Sequence, residues 1–191
     1  DATADEIGLK EYSYFIYNNK NTDILYESLN NLETPGVQAT ICLNNAIPDC
    51  SPPGACIISI TTAFLPGVWD DVKPEDYFTL KNKIAEDLIN TLEKTTGAPI
   101  KEHIEEIEVA TPQTISRFTR SYNGVVYGYE PDSWDSIVPR LMTMNDEKHI
   151  EGLEFCGGFG KRCHGYSSAL KDGETAALLT LQDLHKKGEL K

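Results

Sequence analysis

A chain of 191 residues, 40% hydrophobic and 9% aromatic, is long enough to bury a core and too apolar to remain disordered. Its formal net charge of −13 argues against nucleic acid and against electrostatic attachment to anionic headgroups, because both need clustered Lys and Arg. No apolar run approaches the roughly 20 residues that a membrane span requires.

In chain order, DATADEIGLKE is acidic and lacks the apolar segment of a signal peptide. YSYFIYNN (Tyr12 to Asn19) is aromatic and β-branched and predicts a strand, and DILYES (Asp23 to Ser28) is expected to pair with it. VQATICLN (Val37 to Asn44) and CIISITTAF (Cys56 to Phe64) alternate apolar and polar residues. The loop NAIPDCSPPGA joins them, which predicts an antiparallel pair with one covered face. Lys73 to Gly97 predicts a helix: Pro74 suits its first turn, Glu75 and Asp76 its positive end, and Gly97 its stop. Leu80, Ile84, Leu88 and Leu92 make its apolar stripe.

Further on, HIEEIEVATP (His103 to Pro112) predicts a strand, and TISRFTRS a short helix or turn. GLEFCGG (Gly152 to Gly158) predicts a short strand running into glycines. Ser167 to Lys187 predicts a helix with Ser167 or Ser168 as its cap. The fold class expected is α+β: a mostly antiparallel sheet with packed helices, then a C-terminal strand, glycine turn and helix. The division expected is a substrate-side region over 1–149 and a closing unit over 150–191.

FCGGFGKRCHGYSSALKDGETAA, Phe155 to Ala177, gathers two cysteines, a histidine and five glycines. Cys156 and Cys163 stand too far apart for a Cys-x-x-Cys knuckle, no second Cys/His pair follows His164, and His149 and His185 are single. No metal is therefore expected. Five cysteines, an odd number in a chain that needs no staples, predict reduced thiols and a cytoplasmic location. The glycines instead predict a turn that leaves backbone N–H groups open at a helix N-terminus, where anionic or electron-rich ligand atoms bind. Lys161 and Arg162 read either as partners of a phosphate or polar substrate, or as solvated loop charges.

Four segments together carry a resemblance: LNNAIPDCSPPGACIISITTAF, DYFTLKNKIAEDLINTLEK, EVATPQTISRFT followed by NGVVYGYE, and GLEFCGG followed by GYSSALKDGETAA. In that order and spacing, from about Tyr12 to Leu184, the chain resembles the C-terminal part of the FAD-dependent phytoene desaturase and carotenoid isomerase family, within the amine-oxidase-like flavoproteins. The resemblance implies that the last strand, turn and helix belong to an FAD-binding Rossmann-like domain. It implies Gly157 and Gly158 beside the cofactor's linking chain, and Gly165, Tyr166, Ser167, Ser168 and Ala169 in the turn facing the flavin ring. Tyr127, Tyr129 and Trp134 are expected as walls near an apolar, polyunsaturated, isoprenoid-like substrate, or else as ordinary core and surface aromatics.

The chemistry implied is hydride exchange with flavin N5 in a desaturase, saturase or isomerase, with no side-chain acid or base assigned. The chain departs from the family in two places. Gly158 stands where an acidic or amide residue is usual, and KRCH (Lys161 to His164) replaces an apolar, glycine-rich loop. No GxGxxG follows a strand anywhere, so an N-terminal FAD-binding region or partner chain is expected to supply the grip on adenine and pyrophosphate. Alone, the chain is expected to be inactive and to self-associate, and the full enzyme to touch a membrane surface. The rival readings are a non-catalytic binding module derived from this fold and a Cys/His metal or redox protein.

Overall fold

The computed structural model describes residues 1–33, 35–128, 138, 142, 150–162 and 165–189. They pack as two compact units, Asp1–Phe118 and Thr119–Lys191. The packing division thus falls at 118/119, whereas the division by role was expected at 149/150.

The first unit is built on an antiparallel sheet of β1 (Ser13–Tyr17), β2 (Val37–Cys42) and β3 (Ile58–Thr61), with β2 central. Phe15 stands opposite Ala39, and Ala39 opposite Thr61. Successive residues alternate faces, so Tyr14, Ile16, Thr40, Cys42, Ile58 and Ile60 share one face while Phe15, Tyr17 and Ile41 share the other. The first face is covered by α2 (Pro74–Thr96), whose Ile84, Leu88, Ile89 and Leu92 are buried. Leu92 is fully buried among Leu9, Cys42, Ala98 and Ile100, a burial that contributes about 2 kcal/mol. Trp69 joins Ile84 and Leu88 in a second cluster with Phe64 and Tyr77.

The N-terminal segment completes this core. Thr3 and Glu6 cap a turn reciprocally: the Thr3 N–H and hydroxyl both donate to the Glu6 carboxylate at 2.8 Å. Those bonds hold the Glu6 carboxyl below its ordinary range and place Ala4, Ile7 and Leu9 in the core.

Helix α2 begins at Pro74 and ends at Gly97, whose φ of 76° continues no right-handed helix. Asp23 to Ser28, expected as a strand, forms instead α1 (Thr22–Ser28). Asn21 caps it, its side chain accepting from the Asp23 N–H at 2.9 Å, and the strand that pairs with β1 is β2. The expected strand at His103 to Pro112 is likewise absent. Residues 104–111 join no sheet, and Ile107 is exposed among glutamates. Helix α3 (Pro112–Thr119) follows.

The second unit holds a 3-10 turn at Tyr122–Gly124, another at Gly157–Phe159, and α4 (Tyr166–Lys186). Residues 152–156, expected as a strand, pair with no other strand among the described residues. At the far end, the Lys187 ammonium meets Glu151 at 3.0 Å. The architecture is α+β.

Candidate functional site

The expected helix appears within one residue of its predicted start, but its cap is neither serine. Gly165 occupies the cap position with φ 96° and offers no capping side chain. Its carbonyl accepts from the Ala169 N–H at 2.9 Å, the first bond of the helix. The N–H groups of Tyr166, Ser167 and Ser168 therefore stand at the positive end of a 21-residue helix whose cap residue supplies no side chain to them. Tyr166 is 93% exposed, and Ser168 and Ala169 are half-buried.

The glycine-rich turn before this end has reasons internal to the chain. Gly158 lies against the carbonyl of Tyr127, and a Cβ on Gly128 would strike the carbonyl of Gly158. Two backbones thus cross in contact, which only glycine permits. Gly157, at φ 69°, has open space where a side chain would stand. Gly157 is therefore available to a ligand, while Gly158 is engaged by the Tyr127–Gly128 backbone.

Beyond the turn, the chain is clasped to α4. Asp172 is 3% exposed, on a helix otherwise without a buried residue. Its carboxylate accepts from the Arg162 backbone N–H at 3.0 Å and from the Arg162 guanidinium at 2.7 Å. The same guanidinium nitrogen donates to the Thr175 hydroxyl at 3.0 Å. Gly160 presses so closely on the Asp172 carboxylate that no side chain fits there. Arg162 is thus neither a solvated charge nor free for a phosphate at that nitrogen. Sequence reasoning missed Asp172, although a signal existed. It falls in phase with Ala169, Ala176 and Leu179 on the covered stripe of α4, where a carboxylate needs a cation.

Of the expected substrate-side aromatics, Tyr127 contributes its backbone to the crossing and leaves its ring exposed. Tyr129 and Trp134 lie outside the described residues, as do Cys163, His164 and His149. Cys156 is exposed and free. Among the described residues, no group of three or more His, Cys, Asp or Glu side chains is arranged to hold a metal ion, and no helix is long and apolar enough to cross a membrane.

What the arrangement can do is bind. It offers, among the described residues, a helix N-terminus without a capping side chain after a glycine turn, with Phe155, Phe159 and Leu170 exposed in the same unit. No protein-family model matches the chain, and no curated protein matches it.

Proposed function

We propose that the chain is the substrate-side and FAD-closing part of an FAD-dependent oxidoreductase resembling the phytoene desaturases and carotenoid isomerases, acting on an apolar polyunsaturated substrate in the cytoplasm. The observation that carries this reading is the N-terminus of α4, where Gly165 stands at the cap position without a capping side chain, a few residues after the glycine turn at Gly157–Phe159. The order and spacing of the four resembling segments support it. In this reading residues 150–191 join a Rossmann-like FAD domain supplied by an upstream region or a partner chain.

The residues present fit the flavin at one end. The N–H donors of Tyr166, Ser167 and Ser168 would hold the electron-rich edge of the ring, and Gly157 would admit the linking chain at close range. When bound, FAD supplies hydride exchange with carbon–carbon bonds of the substrate. The protein's own part is to orient the ring, exclude water with the exposed aromatics and leucines of this unit, and set the local field.

A test follows from the field. Supplied with an upstream GxGxxG-bearing region, the chain should purify yellow; without it, colourless. Ser168→Asp is expected to leave α4 intact, since an acid in the first helical turn favours the helix. It should weaken FAD binding by about tenfold and lower the flavin's reduction potential, because the new carboxylate takes up the helix field. Unchanged affinity and potential in that variant would place the flavin elsewhere.

A second reading, a binding module derived from this fold, draws on the open sheet face of Phe15, Tyr17 and Ile41, which carries no charge in a chain of net charge −13. A colourless assembled protein would favour it.

A further inference from the structure

Strand β1 is an edge. β2 pairs with it on one side, and no strand pairs with it on the other among the described residues. The phase of the ladder decides which backbone groups are left over. The Tyr12 carbonyl accepts from the Cys42 N–H at 2.9 Å, and the Asn18 N–H donates to the Gly36 carbonyl at 3.0 Å. In an antiparallel pair, residues bonded in this way alternate along the strand. Tyr14 and Ile16 therefore turn their backbone groups toward β2, while Ser13, Phe15 and Tyr17 turn theirs away from it.

Natural sheets blunt an open edge with a charge, a proline or a bulge. SYFIY has neither charge nor proline, and its five residues pair with β2 without a break in register. Beside it runs an open groove of about 790 Å³. It is touched by Phe15, Ile16 and Tyr17, by Lys20 and Leu25 after the strand, and by Thr95 near the end of α2. Successive strand residues point to opposite faces, so a groove that touches three in a row, with β2 on the other side, follows the free edge. Phe15 and Tyr17 are exposed there, and Lys20 is the one charge among the described lining residues.

We propose that β1 is a docking edge for an extended peptide segment of another protein, which joins the sheet as an antiparallel fourth strand and sets an acidic residue near its start on Lys20. The outward N–H and C=O groups of Ser13, Phe15 and Tyr17 supply the ladder, and alternate apolar side chains of the peptide lie beside the Phe15 and Tyr17 rings. Antiparallel addition brings the start of the peptide to the end of β1, where Lys20 follows. A second copy of this chain fits less well. Pairing about Phe15 sets Ser13 opposite Tyr17 and brings Lys10 toward Lys20, and each copy carries a net charge of −13. The edge lies within the first unit, so the proposal holds whether or not residues 150–191 close on a flavin.

The test uses the full chain and a short labelled peptide that starts with glutamate and then alternates valine with threonine, followed by fluorescence anisotropy and amide exchange. Saturable binding is expected, with the Phe15 and Tyr17 amides slowed by the peptide while those of Tyr14 and Ile16 are slow already. Phe15→Pro deletes an outward N–H and leaves the bonds to β2 in place. It should weaken binding about tenfold beyond Phe15→Ala, which removes the ring alone. Backbone N-methylation of the peptide should abolish binding with the protein unaltered. Lys20→Glu should weaken this peptide and strengthen one that starts with lysine. No saturable binding, equal affinity in Phe15→Pro and Phe15→Ala, or indifference to Lys20→Glu would overturn the proposal. Slowing of the same amides by protein concentration alone would overturn it in favour of a second copy.

Discussion

Asp172 and Arg162 show how much one pair of side chains decides. A carboxylate 3% exposed on a helix is tolerable only because the guanidinium and backbone N–H of Arg162 meet both of its oxygens. Removing one partner leaves the other partly buried and unpaired. Asp172→Ala should therefore destabilise the second unit by about 3 kcal/mol, seen as faster hydrogen exchange along Tyr166–Lys186. The double replacement Arg162→Met with Asp172→Leu should cost much less than the sum of its singles, since it removes the charges together. A loss within about 0.5 kcal/mol for Asp172→Ala would show the clasp to be a surface contact instead. The pair lies ten positions apart in sequence, and nothing local to Lys161 and Arg162 says which acid they face. The glycine turn was legible in sequence, whereas the reasons for Gly158 and Gly160 were not. Each is set by a backbone or side chain that arrives from elsewhere.

At the scale of elements, α2 was readable almost to the residue because its signals are local: Pro74 at its first turn, Gly97 at its end and a stripe of one period. The stripe also ranks its members. Leu92 is fully buried and Leu80 only half-buried, so Leu92→Ala should cost about 3 kcal/mol in chemical denaturation and Leu80→Ala distinctly less. Equal losses would mean that the helix packs differently on the sheet. Strands were less legible, and for one reason. A strand exists only where a partner pairs with it, so Ile104, Ile107 and Val109 have β character without being in a sheet, as do Leu153 and Phe155. Helix α1 was misread in the opposite direction. Ile24, Leu25 and Tyr26 suggest a strand, but the cap supplied by Asn21, with Asp23 in the first turn, starts a helix.

Across the whole molecule, charge and apolar exposure are unevenly shared. Residues 150–191 carry six Lys and Arg against six Asp and Glu, so the entire net charge of −13 belongs to residues 1–149. The neutral segment also carries exposed apolar side chains: Leu153, Phe155, Leu170, Leu178 and Leu181 are all exposed, Leu170 at 76%. No self-repulsion within this segment opposes contact between copies, and apolar contact favours it. Covering roughly 300 Å² of such surface contributes about 7 kcal/mol before the cost of association is subtracted. The isolated chain should therefore self-associate through residues 152–184, with the extent rising with concentration in light scattering. Leu170→Lys and Leu178→Lys together, both at exposed positions, should shift it toward monomer without loss of helix. Supplying the upstream FAD-binding region should have the same effect if that region covers the segment. A chain that stays monomeric at high concentration, with amides of residues 166–184 as slow to exchange as those of Pro74–Thr96, would sink this expectation. It would mean that the second unit is stable with its leucines in water, and that residues 152–184 are not where another protein surface docks.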